Sequence, residues 1–154
     1  MASSEPLEAP MHQDFVLEFP YRHSTGETIG RFLAGLKEQK TIWGQRIPGE
    51  GIVVPPHGYS EVSGKAGGDW VAVKDEGIVT AVAVVHRPIE RLHPVSTSFA
   101  FVLVRLYGAD TALAHVVKED LERLRVGSRV RAVWKRDGER KGSLLDIDAF
   151  RLCD

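Results

Sequence analysis

The side chains of this sequence that could carry chemistry are few and scattered. The 154 residues hold one cysteine, Cys153, beside the C-terminal residue. A single thiol excludes an internal disulfide and any multi-thiolate zinc or iron–sulfur site. The six histidines, His12, His23, His57, His86, His93 and His115, include no pair at i, i+2 or i, i+4 and no H-E-x-x-H. Ser96 and Ser98 lie after His93 without a G-x-S-x-G elbow, and there is no Walker A loop and no G-x-G-x-x-G. A thiol as close to the terminus as Cys153 is hard to preorganise for catalysis. The expectation is a chain without catalytic activity of its own.

Charge carries more information. The sequence has 20 Lys+Arg against 21 Asp+Glu, unevenly placed. Residues 1–70 have a net charge of −3 and residues 71–154 of +2. Between 123 and 141, eight basic residues face only Asp137 and Glu139. In the stretch 129–135, Arg129, Arg131 and Lys135 alternate with Val130, Ala132 and Trp134, so a strand would put the three cations on one face. Three readings compete for them: a solvated outer face, a patch that attracts phosphates, and a surface for single-stranded nucleic acid. The near-neutral chain as a whole argues against a general nucleic-acid binder.

The elements that must position these residues follow from patterning. An apolar share of 43% and a charged share of 27% are those of a globular chain of one ordinary domain or two very small modules. No apolar run approaches the ~18 residues needed to span a bilayer. Met1–Pro10 lacks the features of a secretory signal or transit peptide, so the default location is cytoplasmic. Residues 1–24 read as a tail, within which Phe15–Phe19 is a candidate arm that packs on a surface. A helix is expected over about 25–39, opened by a Ser24/Glu27 capping box, with Ile29, Phe32, Leu33 and Leu36 on one stripe. That stripe packs either on its own domain or on a partner. Residues 40–70 are turn-rich, with one short strand, Ile52–Val54, stopped by Pro55-Pro56. Strands are expected at 77–85, 99–106, 111–117, 129–135 and 144–150, with about one helical turn at 119–124. Phe99 and Phe101 share a strand face, and both that face and the one carrying Ala100 and Val102 read as barrel core. Five short strands with a helical turn between the third and fourth match an OB-type barrel.

The order of parts resembles a family of small acyl-CoA-associated proteins built from a rubredoxin-like zinc ribbon and an OB fold. The resemblance covers roughly residues 25–152. It rests on the Pro55-Pro56 step, on Val85-His86-Arg87-Pro88 at the end of the first barrel strand, and on Leu124–Val130 before the fourth. It implies a mainly β chain: a tail (1–24), an N-terminal helix with a degenerate ribbon (25–70), and a C-terminal five-stranded OB-fold barrel (71–152). The family ribbon holds zinc with two Cys-x-x-Cys knuckles. The aligned positions here are Ile47, Glu50, Ser60 and Ser63, so no zinc is expected. Trp43, Tyr59 and Trp70 are candidates to fill the ribbon instead.

The family accompanies thiolases, thiolase-like aldolases and related enzymes. The resemblance therefore implies a non-catalytic accessory subunit of such an enzyme, in a hetero-oligomer, that supports assembly and acyl-CoA binding. The partner's reaction would make or break a carbon–carbon bond on a CoA thioester. Arg87, Arg129, Arg131 and Lys135 are the candidates for acyl-CoA or phosphate. Ile29, Phe32, Leu33, Leu36, Val54, Tyr59 and His86 are the candidates for docking, and the loop from His86 to Ser98 for approaching the partner's site. No covalently bound cofactor and no membrane are expected. The alternative is an OB-fold module for single-stranded nucleic acid.

Overall fold

The computed structural model describes residues 15–153. The expected tail falls largely on residues 1–14, outside the described residues, as does His12. Residues 15–25 have no regular secondary structure and are solvent-exposed throughout.

Helix α1 spans Gly26–Ala34 and continues through a π-helical turn, Gly35–Gln39, which Lys40 ends in the left-handed conformation at φ 52°. The expected capping box does not form. The helix begins at Gly26, one residue later than the box requires, and the Ser24 hydroxyl accepts the Gly26 amide in a local turn (3.2 Å). Phe32 and Leu36 are buried in the main core, and Leu33 is half-buried against it. Gly35 lies against Trp43, and a Cβ there would run into the indole. This contact brings the helix end onto the sheet that follows.

That sheet holds β1 (Ile42–Ile47), β2 (Gly51–Val53) and β3 (Trp70–Val73), antiparallel in the order β2-β1-β3. It extends to Val73, past the boundary expected at residue 70. β1 lies in a stretch that reads as turns. Its interior Gly44, Gln45 and Arg46 hide the strand, but they pair with Val71, Trp70 and Ile52, which are apolar.

The second unit is a closed barrel of β4 (Glu76–Val85), β5 (Phe99–Leu106), β6 (Leu113–Val117), β7 (Arg129–Trp134) and β8 (Ile147–Leu152), in the cyclic order β4-β5-β6-β8-β7. This is the expected five-stranded OB barrel. Two details differ from expectation. Residues 119–124 form turns and no helix, with Arg123 and Leu124 amides donating to the Asp120 carbonyl. The last strand starts at Ile147, because Leu144–Asp146 forms a 3-10 turn capped by the Ser143 hydroxyl and the Asp146 carboxylate.

One core runs through both units, joining Phe32, Leu36, Ile42 and Val54 to Val79, Val102, Val104, Leu106, Leu113, Val130, Ile147 and Phe150. Polar ties reinforce it. Asp110, in the β5–β6 turn, accepts the Ile52 amide (2.7 Å), and its own amide donates to the Ile52 carbonyl (2.8 Å). The Thr111 hydroxyl accepts the Val54 amide (2.8 Å) and donates to the Val54 carbonyl (3.1 Å). The free edge of β2 is thus satisfied by the barrel, as buried backbone groups require. No helix among the described residues is long and apolar enough to cross a membrane.

Candidate binding cleft and surrounding surfaces

A cleft of about 300 Å³ opens beside the end of β6. Val116, Ala114 and His115 come from β6, and Lys118 follows it. Leu144 and Leu145 come from the 3-10 turn, Asp148 from β8, Pro94 and Val95 from the β4–β5 loop, and Phe101 from β5. Lys135 stands at the end of β7. β8 carries one extra residue, Asp148, between the partners of Trp134 and Val133, and Asp148 lines the same cleft as Lys135. The Lys135 amide donates to the Asp146 carbonyl (2.9 Å). Lys118 and Asp148 pair at 2.8 Å, whereas the Lys135 ammonium has no partner among the described residues.

The polar floor is neutral. His115 Nδ1 accepts the Val116 amide (2.9 Å), so Nε2 carries the proton and donates to the Leu144 carbonyl (3.3 Å). Its edge meets Phe150. Burial pushes the imidazole pKa below its ordinary value, more than the backbone hydrogen bonds raise it. Behind the cleft, burial pushes the Asp146 carboxyl up, but the amides of Lys141, Gly142 and Ser143 outweigh it and hold the group below the usual range. Of the cleft residues the sequence singles out Lys135, as an acyl-CoA or phosphate candidate, and not His115, Lys118, Leu144, Leu145 or Asp148. The bulge and the capped turn that bring them together leave no periodic trace.

The outer barrel face beside the cleft is apolar. The register sets Ala83 opposite Phe101, Ala81 opposite Leu103, and Leu103 opposite Ala114. All five are exposed, Phe101 by 43% and Leu103 by 41%. The Phe99/Phe101 face is therefore the outer one, and Ala100, Val102 and Val104 fill the barrel. Phe99 is nonetheless buried, because Val116, Ala149 and the β4–β5 loop cover it. His93 organises that loop: its Nδ1 accepts the Ile89 amide (2.7 Å), and its ring packs on Phe99 and Phe101.

The expected basic patch is dispersed. Arg129 and Arg131 are exposed on β7, but Arg131 pairs with Glu76, which lowers the Glu76 pKa through the hydrogen bond and raises that of Arg131. Arg129 and Arg131 share a polar depression with Arg151, Glu119 and Asp120, so acids offset the cations. Arg140 is buried and structural, donating to the carbonyls of Lys37 and Lys135 and to Asp137. Arg87 is exposed after β4.

Of the docking candidates, Phe32, Leu36 and Val54 lie in the core and are not available to a partner; the apolar stripe of α1 packs on its own chain. Ile29 and Tyr59 are exposed, by 36% and 57%. Thr28 packs on Gly58, so the two belong to one side of the molecule. His86 is exposed, and its carbonyl accepts the Ser98 hydroxyl (2.9 Å) at the neck of the β4–β5 loop.

The ribbon positions do not suit zinc. Ile47 is buried and apolar. The Glu50 amide donates to the Ile47 carbonyl, and the buried Ser60 hydroxyl accepts the Ser63 amide (2.9 Å), which closes the second turn locally. Gln45 fills the centre: its amide oxygen accepts the Gly58 N–H (3.1 Å) and its nitrogen donates to the Gly68 carbonyl (3.4 Å), with Gly67 packed on it so closely that a Cβ would collide. Trp43 and Trp70 are half-buried, with the Arg31 guanidinium 4.4 Å from the Trp70 ring centroid. Tyr59 does not join them as fill.

Residues 70–135 match the family model of the ChsH2 C-terminal OB-fold domain. The chain is ChsH2-like in its OB fold. A DUF35-family protein of unknown function from Sulfolobus solfataricus superposes with a TM-score of 0.56 at 22% identity, over 71% of this chain and 79% of that one. A chain of the Ltp2-ChsH2(DUF35) aldolase superposes with a TM-score of 0.56 at 19% identity, over 84% and 95%. No curated protein matches the chain. The resemblance drawn from the residues thus holds for the fold.

Proposed function

We propose that this chain is a non-catalytic accessory subunit of a thiolase-like acyl-CoA enzyme, helping to assemble it and to hold its acyl-CoA substrate. The observation that carries this reading is the segment before α1. Phe15, Val16, Leu17, Phe19 and Tyr21 are each between 63% and 82% exposed, five large apolar side chains within seven residues. Scattered exposed apolar groups are ordinary, but such a concentration calls for a covering surface. In extended form Phe15, Leu17, Phe19 and Tyr21 share one side, with Glu18 on the other. Ile29 and Tyr59 are further exposed apolar side chains. The fold-level likeness to a chain of the Ltp2-ChsH2(DUF35) aldolase supports an enzyme as the partner. Of the sequence candidates for phosphate, Arg87 and Arg129 are exposed and form no ion pair among the described residues, Arg87 away from the acids that line the Arg129 depression.

The test is co-expression with the product of a neighbouring thiolase-like gene, followed by size-exclusion chromatography and assay of that enzyme. The expected result is co-elution, lost on removal of residues 1–22. Separate elution together with unchanged enzyme activity would sink the reading. The nucleic-acid alternative predicts single-strand binding that weakens steeply with salt. The outer β4–β5–β6 face argues against it, since Ala81, Ala83, Leu103 and Ala114 surround one exposed aromatic, Phe101, where a row of stacking platforms is needed.

A further inference from the structure

We propose that the cleft beside β6 is a binding site for a small apolar monocarboxylate, with Lys135 as its anchor. Three features of the cleft converge on that ligand class. Its size, about 300 Å³, is at the lower end of the roughly 300–1,000 Å³ of ligand pockets, which suits a short acyl or aryl body and not a coenzyme. Its walls are Pro94, Val95, Val116, Leu144 and Leu145 with the edge of Phe101, an apolar lining that gains from displacing water.

Its charge is the deciding feature. Lys118 is neutralised by Asp148 at 2.8 Å, and His115 is neutral with its one N–H given to the Leu144 carbonyl. The Asp146 carboxylate, which lies close enough to Lys135 to feel its charge, is buried with its oxygens taken up by three amides. The Lys135 ammonium is thus the cleft's one cation without a bonded partner among the described residues, and it offers charge for one. A monoanion matches it. A phosphate would meet a single lysine and the repulsion of Asp148, where phosphate sites use several donors. An amine would meet Lys135 directly.

This site is independent of the accessory reading, since it lies within the isolated chain. The test is isothermal titration calorimetry of the full chain with octanoate, octanamide and octylamine, beside Lys135→Met and Lys135→Arg variants. Octanoate should bind saturably at one per chain. Octanamide should bind about tenfold more weakly or worse, because it lacks the charge-assisted hydrogen bond. Lys135→Met should lose the preference for the acid, and Lys135→Arg should keep it. Leu145→Asn, at an exposed wall position, should weaken acid and amide alike, because it removes apolar wall without adding charge. No saturable octanoate binding at millimolar concentration overturns the proposal. So does equal binding of acid and amide, or an unaltered preference in Lys135→Met.

Discussion

His115 has both ring nitrogens engaged by backbone groups in its neutral form, and burial lowers its pKa. The unfolded chain therefore takes up a proton near pH 6.5 that the folded chain resists. Stability from this residue is complete above about pH 6.5 and is lost as the pH falls through the folded value. Thermal melts across that window should show a falling Tm, and His115→Gln should flatten the slope there. An equal slope in the variant would assign the acid sensitivity elsewhere. Asp146 acts in a lower window, since its folded pKa is depressed and its contribution disappears only as the pH falls below about 4. Asp146→Asn tests the same geometry at neutral pH. Its carboxylate accepts three amides, and an NH₂ group in either flip leaves at least one of them facing a donor. Chemical denaturation should show a loss of about 1–3 kcal/mol.

At the scale of elements, the question is what shapes residues 40–70 where the family ribbon uses zinc. The side chains that meet this segment answer it: Gln45 inside, and Asp110 and Thr111 from the barrel. Thr111→Val keeps the volume and removes both hydrogen bonds to Val54, leaving a part-buried N–H and C=O unmatched. It should cost about 1–3 kcal/mol in a denaturant titration. A change near zero would mean that packing alone holds β2. These ties also explain which parts of the fold are legible in sequence. The barrel strands are long β-branched runs such as Ile78–Val85, bounded by turn pairs, so local pattern suffices. β1 is not legible because its partners, residues 70–73 and 51–53, impose strand on Gly44, Gln45 and Arg46. The Ser24/Glu27 box matches the capping pattern but is one residue out of register with the helix. The cleft is the least legible part, since Asp148 reaches it at a bulge in β8 that period-2 reading carries straight past, and Leu144 and Leu145 come from a turn within a stretch that reads as strand.

The whole molecule has one core crossing both units, and this sets its unfolding behaviour. Phe32, Leu36, Ile42 and Val54 cannot leave the barrel residues they pack on without opening the same apolar cluster. The helix, the small sheet and the barrel should therefore unfold as one cooperative unit. Trp43 and Trp70 lie on the small sheet and Trp134 on β7, so in a Trp134→Phe variant fluorescence reports the small sheet while most of the far-UV signal comes from barrel strands. Fluorescence and far-UV melts should give one midpoint. Chelation supplies the second half of the experiment. In a zinc-held ribbon, metal binding is folding free energy, and a chelator would melt the small sheet first. Here Ile47 is buried as a hydrophobe and the Ser60 hydroxyl is committed to the Ser63 amide, so excess EDTA should leave both midpoints unchanged. A fluorescence midpoint that falls alone on chelation, or zinc at about one per chain in the purified protein, would show that Glu50, Ser60 and Ser63 recruit a metal after all. Two separate midpoints without any metal would instead show that the ties from Asp110 and Thr111 are too weak to join the units.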